Sequence, residues 1–201
     1  MELATLAKDY GDFYAPAYAV RVGRADLMRD LLVAVSQVEV DLVLGAASRF
    51  SFAVTDCYSH KLRIFQTGRG VDLLGILTFG AEMEIYMGYG DAKSTPIAMK
   101  GMITEISTSF PESGSPELAI AGYDHGFAMT IGKNSRTWSK ARDSEAVHEI
   151  ASFNNLAAII EPTQETHAQI EQNQESDWEF LKKLAERNHF ELYVDERKTL
   201  H

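Results

Sequence analysis

Residues 72–121 constrain the fold more than any other stretch, because their side chains alternate between apolar and polar and the alternation breaks at glycines. Within 81–89, Met83, Ile85, Met87 and Tyr89 fall on one face and Glu82, Glu84 and Tyr86 on the other, the period-2 pattern of a half-buried strand. Gly88-Tyr89-Gly90-Asp91 supplies residues that tolerate positive φ, and strand character resumes with small and β-branched residues at 97–107.

The same signal recurs upstream and downstream. Segments 17–22, 35–44, 50–54, 62–65, 73–78, 82–89, 97–108 and 117–123 read as strands between about residues 14 and 129. Val38, Val40, Leu42 and Leu44 alternate with Glu39, Asp41 and Val43, and Phe50, Phe52 and Val54 alternate with Ser51 and Ala53, so each strand offers an apolar face to one core. An antiparallel barrel over 1–129 is expected, since closure removes exposed strand edges. Residues 25–32 read as a helical turn or a connecting loop.

From about residue 130 the spacing becomes helical, which predicts a small α+β domain over 130–201. Asp143 or Ser144 caps a helix running to Leu156, with Val147, Ile150, Ala151 and Phe153 as its stripe. A short strand follows at 158–161, closed by Pro162, and another contains Ile170. Ser176 with Glu179 three residues later forms a capping box for a second helix, whose stripe is Phe180, Leu181, Leu184 and Ala185 and whose left-handed C-cap is Asn188. A last strand is expected at 190–194, then a charged turn.

Composition excludes several classes of function. Lys and Arg number 19 against 29 Asp and Glu, a formal net charge of −10, so direct nucleic-acid binding through a basic surface is not expected. No run approaches the roughly 18 apolar residues of a membrane helix, and the N-terminal segment carries acids where a signal peptide would be basic, which predicts no membrane insertion and a cytoplasmic site of synthesis. Cys57 is the only cysteine, so no intrachain disulfide or thiolate cage forms.

Two segments carry a resemblance. The run EIYMGYGD followed by IAMKGMITEISTSFPESGSPELAIAGYDHG, and the run IEQNQESDWEFL with KKLAERNHFELYVDERKTL, resemble the phage late control D proteins, the second through a Q-x-x-ESD-x-x-FL-x-x-LA pattern. These are baseplate hub proteins of contractile tails, akin to the hub part of VgrG spike proteins. The resemblance implies a tail-tube-like barrel followed by an α/β insertion, and a structural role joining the tail tube to the spike through a ring of barrels. It implies self-association as a trimer or ring, partners in the tube and spike proteins, and a final location in the particle. It also implies a second barrel beyond this chain, which is then a fragment or a shortened homologue.

No residue stands out as catalytic, cofactor-binding or metal-ligating, and no cofactor is expected. His60, His125, His148, His167, His189 and His201 lack metal-ligand spacing. Asp124-His125 in Tyr123-Asp124-His125-Gly126 is the nearest approach to an acid–base pair, but neighbours on a strand face opposite ways and the tetrapeptide is good turn chemistry. Gly68-Arg69-Gly70 and Gly88-Tyr89-Gly90-Asp91 lack the pattern of a phosphate loop and read as hairpin turns. Glu82, Glu84 and Glu105 are the carboxylates a fused cell-wall hydrolase would need, which is the alternative function, yet alternation puts Glu82 and Glu84 on the solvent face. Cys57, beside Asp56, reads as an inert thiol. Tyr86 and Val43, alternating away from the core, are the expected subunit contacts.

Overall fold

The computed structural model describes residues 16–90 and 95–201. Asp91 of the expected glycine turn, the acidic N-terminal segment and the expected barrel start near residue 14 lie outside the described residues. Two compact units are present. The first runs to Val40 and resumes over Arg49–Gly122; the second takes Asp41–Ser48 together with Tyr123–His201.

The first unit is built on strands β1 (Pro16–Val22), β2 (Ala25–Asp26), β3 (Ala34–Asp41), β4 (Arg49–Thr55), β7 (Glu82–Tyr89), β8 (Ile97–Ser109) and β9 (Glu117–Tyr123), in the order β2-β1-β7-β8-β9-β4-β3. A separate two-residue hairpin pairs β5 (Tyr58–Ser59) with β6 (Ile64–Phe65). The sheet curls into a half-barrel with β2 and β3 at its ends. Alternation does the packing: Phe50, Phe52 and Val54 of β4 are buried with Met83 and Ile85 of β7, Ile103 of β8 and Leu118 and Ile120 of β9. Gly122 is obligatory here, because a Cβ would stand 2.0 Å from the Met102 carbonyl oxygen and 2.6 Å from the Phe50 ring.

Three strand expectations fail for local reasons. The 35–44 strand ends at Asp41, and inside it Gln37 takes φ +52°, so Val35 and then Val38 and Val40 turn inward across a phase slip. Residues 73–78 are a turn: the Leu77 amide donates to the Leu73 carbonyl at 2.8 Å, which buries both leucines on one side at helical spacing. Of 62–65, only Ile64–Phe65 pairs. Residues 25–32 do turn helically after β2, with Asp26 Oδ1 accepting from the Met28 and Arg29 amides.

The second unit packs two helices with short sheets. Strand β10 (Asn134–Arg142) pairs antiparallel with β12 (Thr166–Glu175), and β11 (Ala157–Ala158) pairs parallel with β13 (Thr199–Leu200). Helix α1 spans Asp143–Phe153 and helix α2 Asp177–Asn188. The strand at 134–142 was not legible from spacing, since Trp138 and Ala141 are its only buried apolar side chains. Helix α1 stops at Phe153 instead of Leu156, and its N-cap is Arg142, whose amide donates to Glu145 Oε2 at 2.8 Å. Phe153 is exposed beneath the Arg136 guanidinium, not part of the buried stripe.

The Ser176–Glu179 capping box of α2 forms as expected, each side chain taking the other's amide. The left-handed cap is His189 (φ +59°) instead of Asn188, which stays in the last turn and donates to the Leu184 carbonyl and to Asp143. Residues 190–194 are not a strand; only Val194 bridges to Leu200.

Buried carboxylates tie these elements together. Asp177, at the start of α2, accepts from Asn134 and Arg136 of β10, Gln172 of β12 and Asn154 at the end of α1. Burial alone would push its carboxyl up; these donors outweigh burial and hold it below the usual aspartate range. Asp143, at the start of α1, accepts from Arg187 and Asn188 at the end of α2. Each carboxylate therefore joins the two helices at opposite ends.

Candidate assembly surface

The outer face of the first unit's sheet is organised by charge. Lys100 Nζ lies 2.6 Å from Glu84, the Tyr86 hydroxyl donates to Glu84 at 2.7 Å, and Arg21 donates to that hydroxyl at 3.0 Å while stacking over the ring at 4.4 Å. Partial burial opposes ionisation of Glu84, but the Lys100 and Tyr86 hydrogen bonds prevail and lower its pKa. Tyr86 is thus half-buried in a polar network and is no bare apolar contact. Glu105 pairs with Arg49 at 3.5 Å on the same sheet.

The Asp124–His125 pair is not arranged as an acid and base. Asp124 is buried, and its two carboxylate oxygens accept from the backbone amides of Gly126 (2.8 Å) and Ser48 (2.7 Å), capping a 3-10 turn over His125–Thr130. Burial drives its pKa up, against those hydrogen bonds. The histidines are dispersed: His60 sits edge-on to Tyr58, His167 lies between Asp143 and Glu165, and His201 stacks on Tyr193 with Nε2 3.1 Å from Asp195. Among the described residues no three His, Cys, Asp or Glu side chains are grouped to hold a metal ion. The Cys57 thiol is buried, which raises its pKa and disfavours the thiolate. Gly68-Arg69-Gly70 is a turn in which Thr67 Oγ1 accepts from the Arg69 and Val71 amides.

What the structure does expose is apolar. In the second unit, the 41–48 segment presents Leu42 (70% exposed), Val43 (44%) and Leu44 (60%) in succession. The segment is pinned: the Val43 amide donates to Ser48 Oγ, the Gly45 amide to the Leu192 carbonyl at 2.8 Å, and Trp178 Nε1 to the Gly45 carbonyl at 3.2 Å. Val43 is therefore exposed as expected, but on a loop instead of a strand face. The same unit contains a groove of about 330 Å³ between α1, α2 and the segments after β11 and α2. Ile159 and Phe190 stand exposed in it, 67% and 43%, above Val147, Leu181 and Leu184. Sequence reasoning missed the groove, although consecutive Ile159-Ile160 just before Pro162 was a signal, since two neighbours in extended chain cannot both face one core.

The fold is that of tail proteins. The prophage MuSo2 43 kDa tail protein from Shewanella oneidensis superposes with a TM-score of 0.71 at 11% identity, over 92% of this chain and 52% of that one. A tail protein from Neisseria meningitidis MC58 gives 0.60 at 18% identity, over 93% and 50%. The E. coli c3393 protein, described as a type VI secretion component similar to the T4 tail proteins gp27 and gp5, gives 0.56 at 11%, over 90% and 47%. The chain spans about half the length of these proteins. No curated protein matches it in sequence. By sequence model, the chain belongs to the family described as the Alg8 N-terminal domain, which matches residues 71–200. That span contains both segments that resemble the late control D proteins, a differently named family.

Proposed function

We propose that this chain is a structural component of a contractile phage tail or a tail-derived injection device, serving as the baseplate hub that joins tube to spike. The observation that carries the reading is the likeness of fold to tail and type VI secretion proteins over at least 90% of this chain. The late control D pattern in 82–126 and 170–185 gives the finer assignment, with the half-barrel closing into a tube-like barrel in the assembly and the second unit as its insertion. The mechanism is geometric: copies form a ring around the tail axis, and symmetric contacts hold tube and spike in line. Its partners are further copies of itself, a tube protein and a spike protein. The chain acts without catalysis, and its net charge of −10 keeps a passing polyanion from adhering.

The test is particle-based. Tagged chain, expressed from its own locus, is expected to co-purify with tail-like particles and to be labelled at the tube–spike junction in electron micrographs; deletion should leave particles unassembled. Intact particles in the deletion strain, or muralytic activity of the purified chain on peptidoglycan, would overturn the reading.

A further inference from the structure

Three consecutive large aliphatic side chains in water are unfavourable unless something covers them, and Leu42-Val43-Leu44 is such a run. A floppy loop could fold the run away. This one is held within the run by the Val43 amide on Ser48 Oγ and directly after it by Gly45 through Leu192 and Trp178 and by Ser48, whose amide and carbonyl engage Asp124. Gly45 adopts φ +71°, which sets the direction of the tip. The tip is thus preorganised, and seating it elsewhere demands little further ordering.

The groove on the same unit is its counterpart in shape. A dry apolar cavity of about 150 Å³ holds one benzene-sized group, so about 330 Å³ has room for two leucine side chains. Charges match as well. Lys182 Cε comes within 4.0 Å of where a Cβ on Gly45 would stand, placing a cation beside the tip, while Glu161 and Glu191 line the groove as exposed carboxylates. Neither feature is satisfied within its own copy, since Leu42 and Leu44 on one side and Ile159 and Phe190 on the other all remain exposed.

We propose that the Leu42-Val43-Leu44 tip of one copy seats in the groove lined by Val147, Ile159, Ile160, Leu181, Leu184 and Phe190 of a second copy. The contact is heterologous: each copy offers one tip and one groove, so association continues until a ring closes or a filament grows. The use of this contact in a hub rests on the tail reading, but the contact itself does not.

Two surface variants and their mixture test it. Wild type should associate in a concentration-dependent way by sedimentation velocity, and Leu44→Asp (tip lost) and Ile159→Asp (groove lost) should each weaken association by at least about tenfold. Mixed in equal amounts, the variants should form one-to-one dimers and nothing larger, because only one tip and one groove remain intact between them. Circular dichroism confirms that both variants stay folded; were either to unfold, Leu42→Asp and Phe190→Asp take their places. A monomeric wild type, variants that associate like wild type, or a mixture that stays monomeric would overturn the proposal. Failure here leaves particle incorporation of the chain unaffected, so the two readings fall separately.

Discussion

The two units solve the same problem with different materials. Among the described residues, all buried polar side chains except Asp26, Thr67 and Thr95 belong to the second unit. The first unit's core is mainly apolar, with Asp26, which accepts from the Met28 and Arg29 amides, as its one buried carboxylate among the described residues, whereas the second threads Asp124, Asp143 and Asp177 through its interior and uses them to satisfy turn and helix amides and cations. Apolar burial is indifferent to protons; a buried carboxylate is not. With three buried carboxylates against one, the second unit's stability should therefore depend on pH more than the first's.

The largest expected effect tests that contrast directly. Asp177→Ala removes the charged acceptor shared by Arg136, Gln172 and Asn154 and should destabilise by about 3–5 kcal/mol at neutral pH. Because the folded-state pKa of Asp177 is lowered, its contribution is full above the ordinary aspartate value of about 3.9 and is lost as the pH falls through the folded value. The penalty should shrink between pH 5 and strongly acid conditions. Trp138 and Trp178, the only tryptophans, both lie in the second unit, so intrinsic fluorescence in urea reads it selectively. Phe52→Ala in the first unit should cost a comparable ~3–5 kcal/mol by amide exchange on β4, but equally at both pH values. A pH-independent Asp177 penalty would erase the distinction.

Within the second unit, apolar and polar contributions can be ranked on one helix. Leu181→Ala should cost about 2–5 kcal/mol through the cavity it leaves, and Ser176→Ala about 0.5–2 kcal/mol through loss of the N-cap acceptor. Equal urea midpoints for the two would show that α2 is not held mainly by its buried stripe. The smallest effect belongs to the first unit's outer face, where Lys100→Ala should cost about 0.2–1 kcal/mol and become negligible in molar salt. A larger, salt-resistant loss would mean that the Glu84–Tyr86–Arg21 network is structural instead of a solvated face.

The same contrast explains what the sequence disclosed. Strands β4, β7, β8 and β9 were legible because each buries alternate side chains, and α2 because its capping box and stripe agree. Strand β10 was hidden, since its partners are polar: Arg136 and Asn134 reach Asp177, a contact that no periodicity announces. Residues 73–78 misled because apolar content without phase fits a strand or a turn equally, and Leu73 and Leu77 four apart chose the turn. Val43 was marked as outward, but Leu42 and Leu44 were assigned to a core. Their exposure depends on Gly45, whose amide donates to the Leu192 carbonyl and whose carbonyl accepts from Trp178, roughly 130 to 150 positions later in the chain, which local pattern cannot foresee.

That long return has a consequence for biogenesis. The 41–48 segment leaves the ribosome well ahead of its anchors, with Trp178 133 residues downstream of Gly45 and Asp124 76 residues from Ser48. At about 5–20 residues per second, the Leu42-Val43-Leu44 tip emerges and waits roughly 7–29 s before its last tether, the Leu192 carbonyl that accepts from Gly45, is made. Throughout that interval it is a loose hydrophobic lure on a nascent chain, crowded by identical nascent chains on the same message. Whether copies meet as finished knobs or as sticky threads then turns on how well this octapeptide is shielded until its anchors emerge.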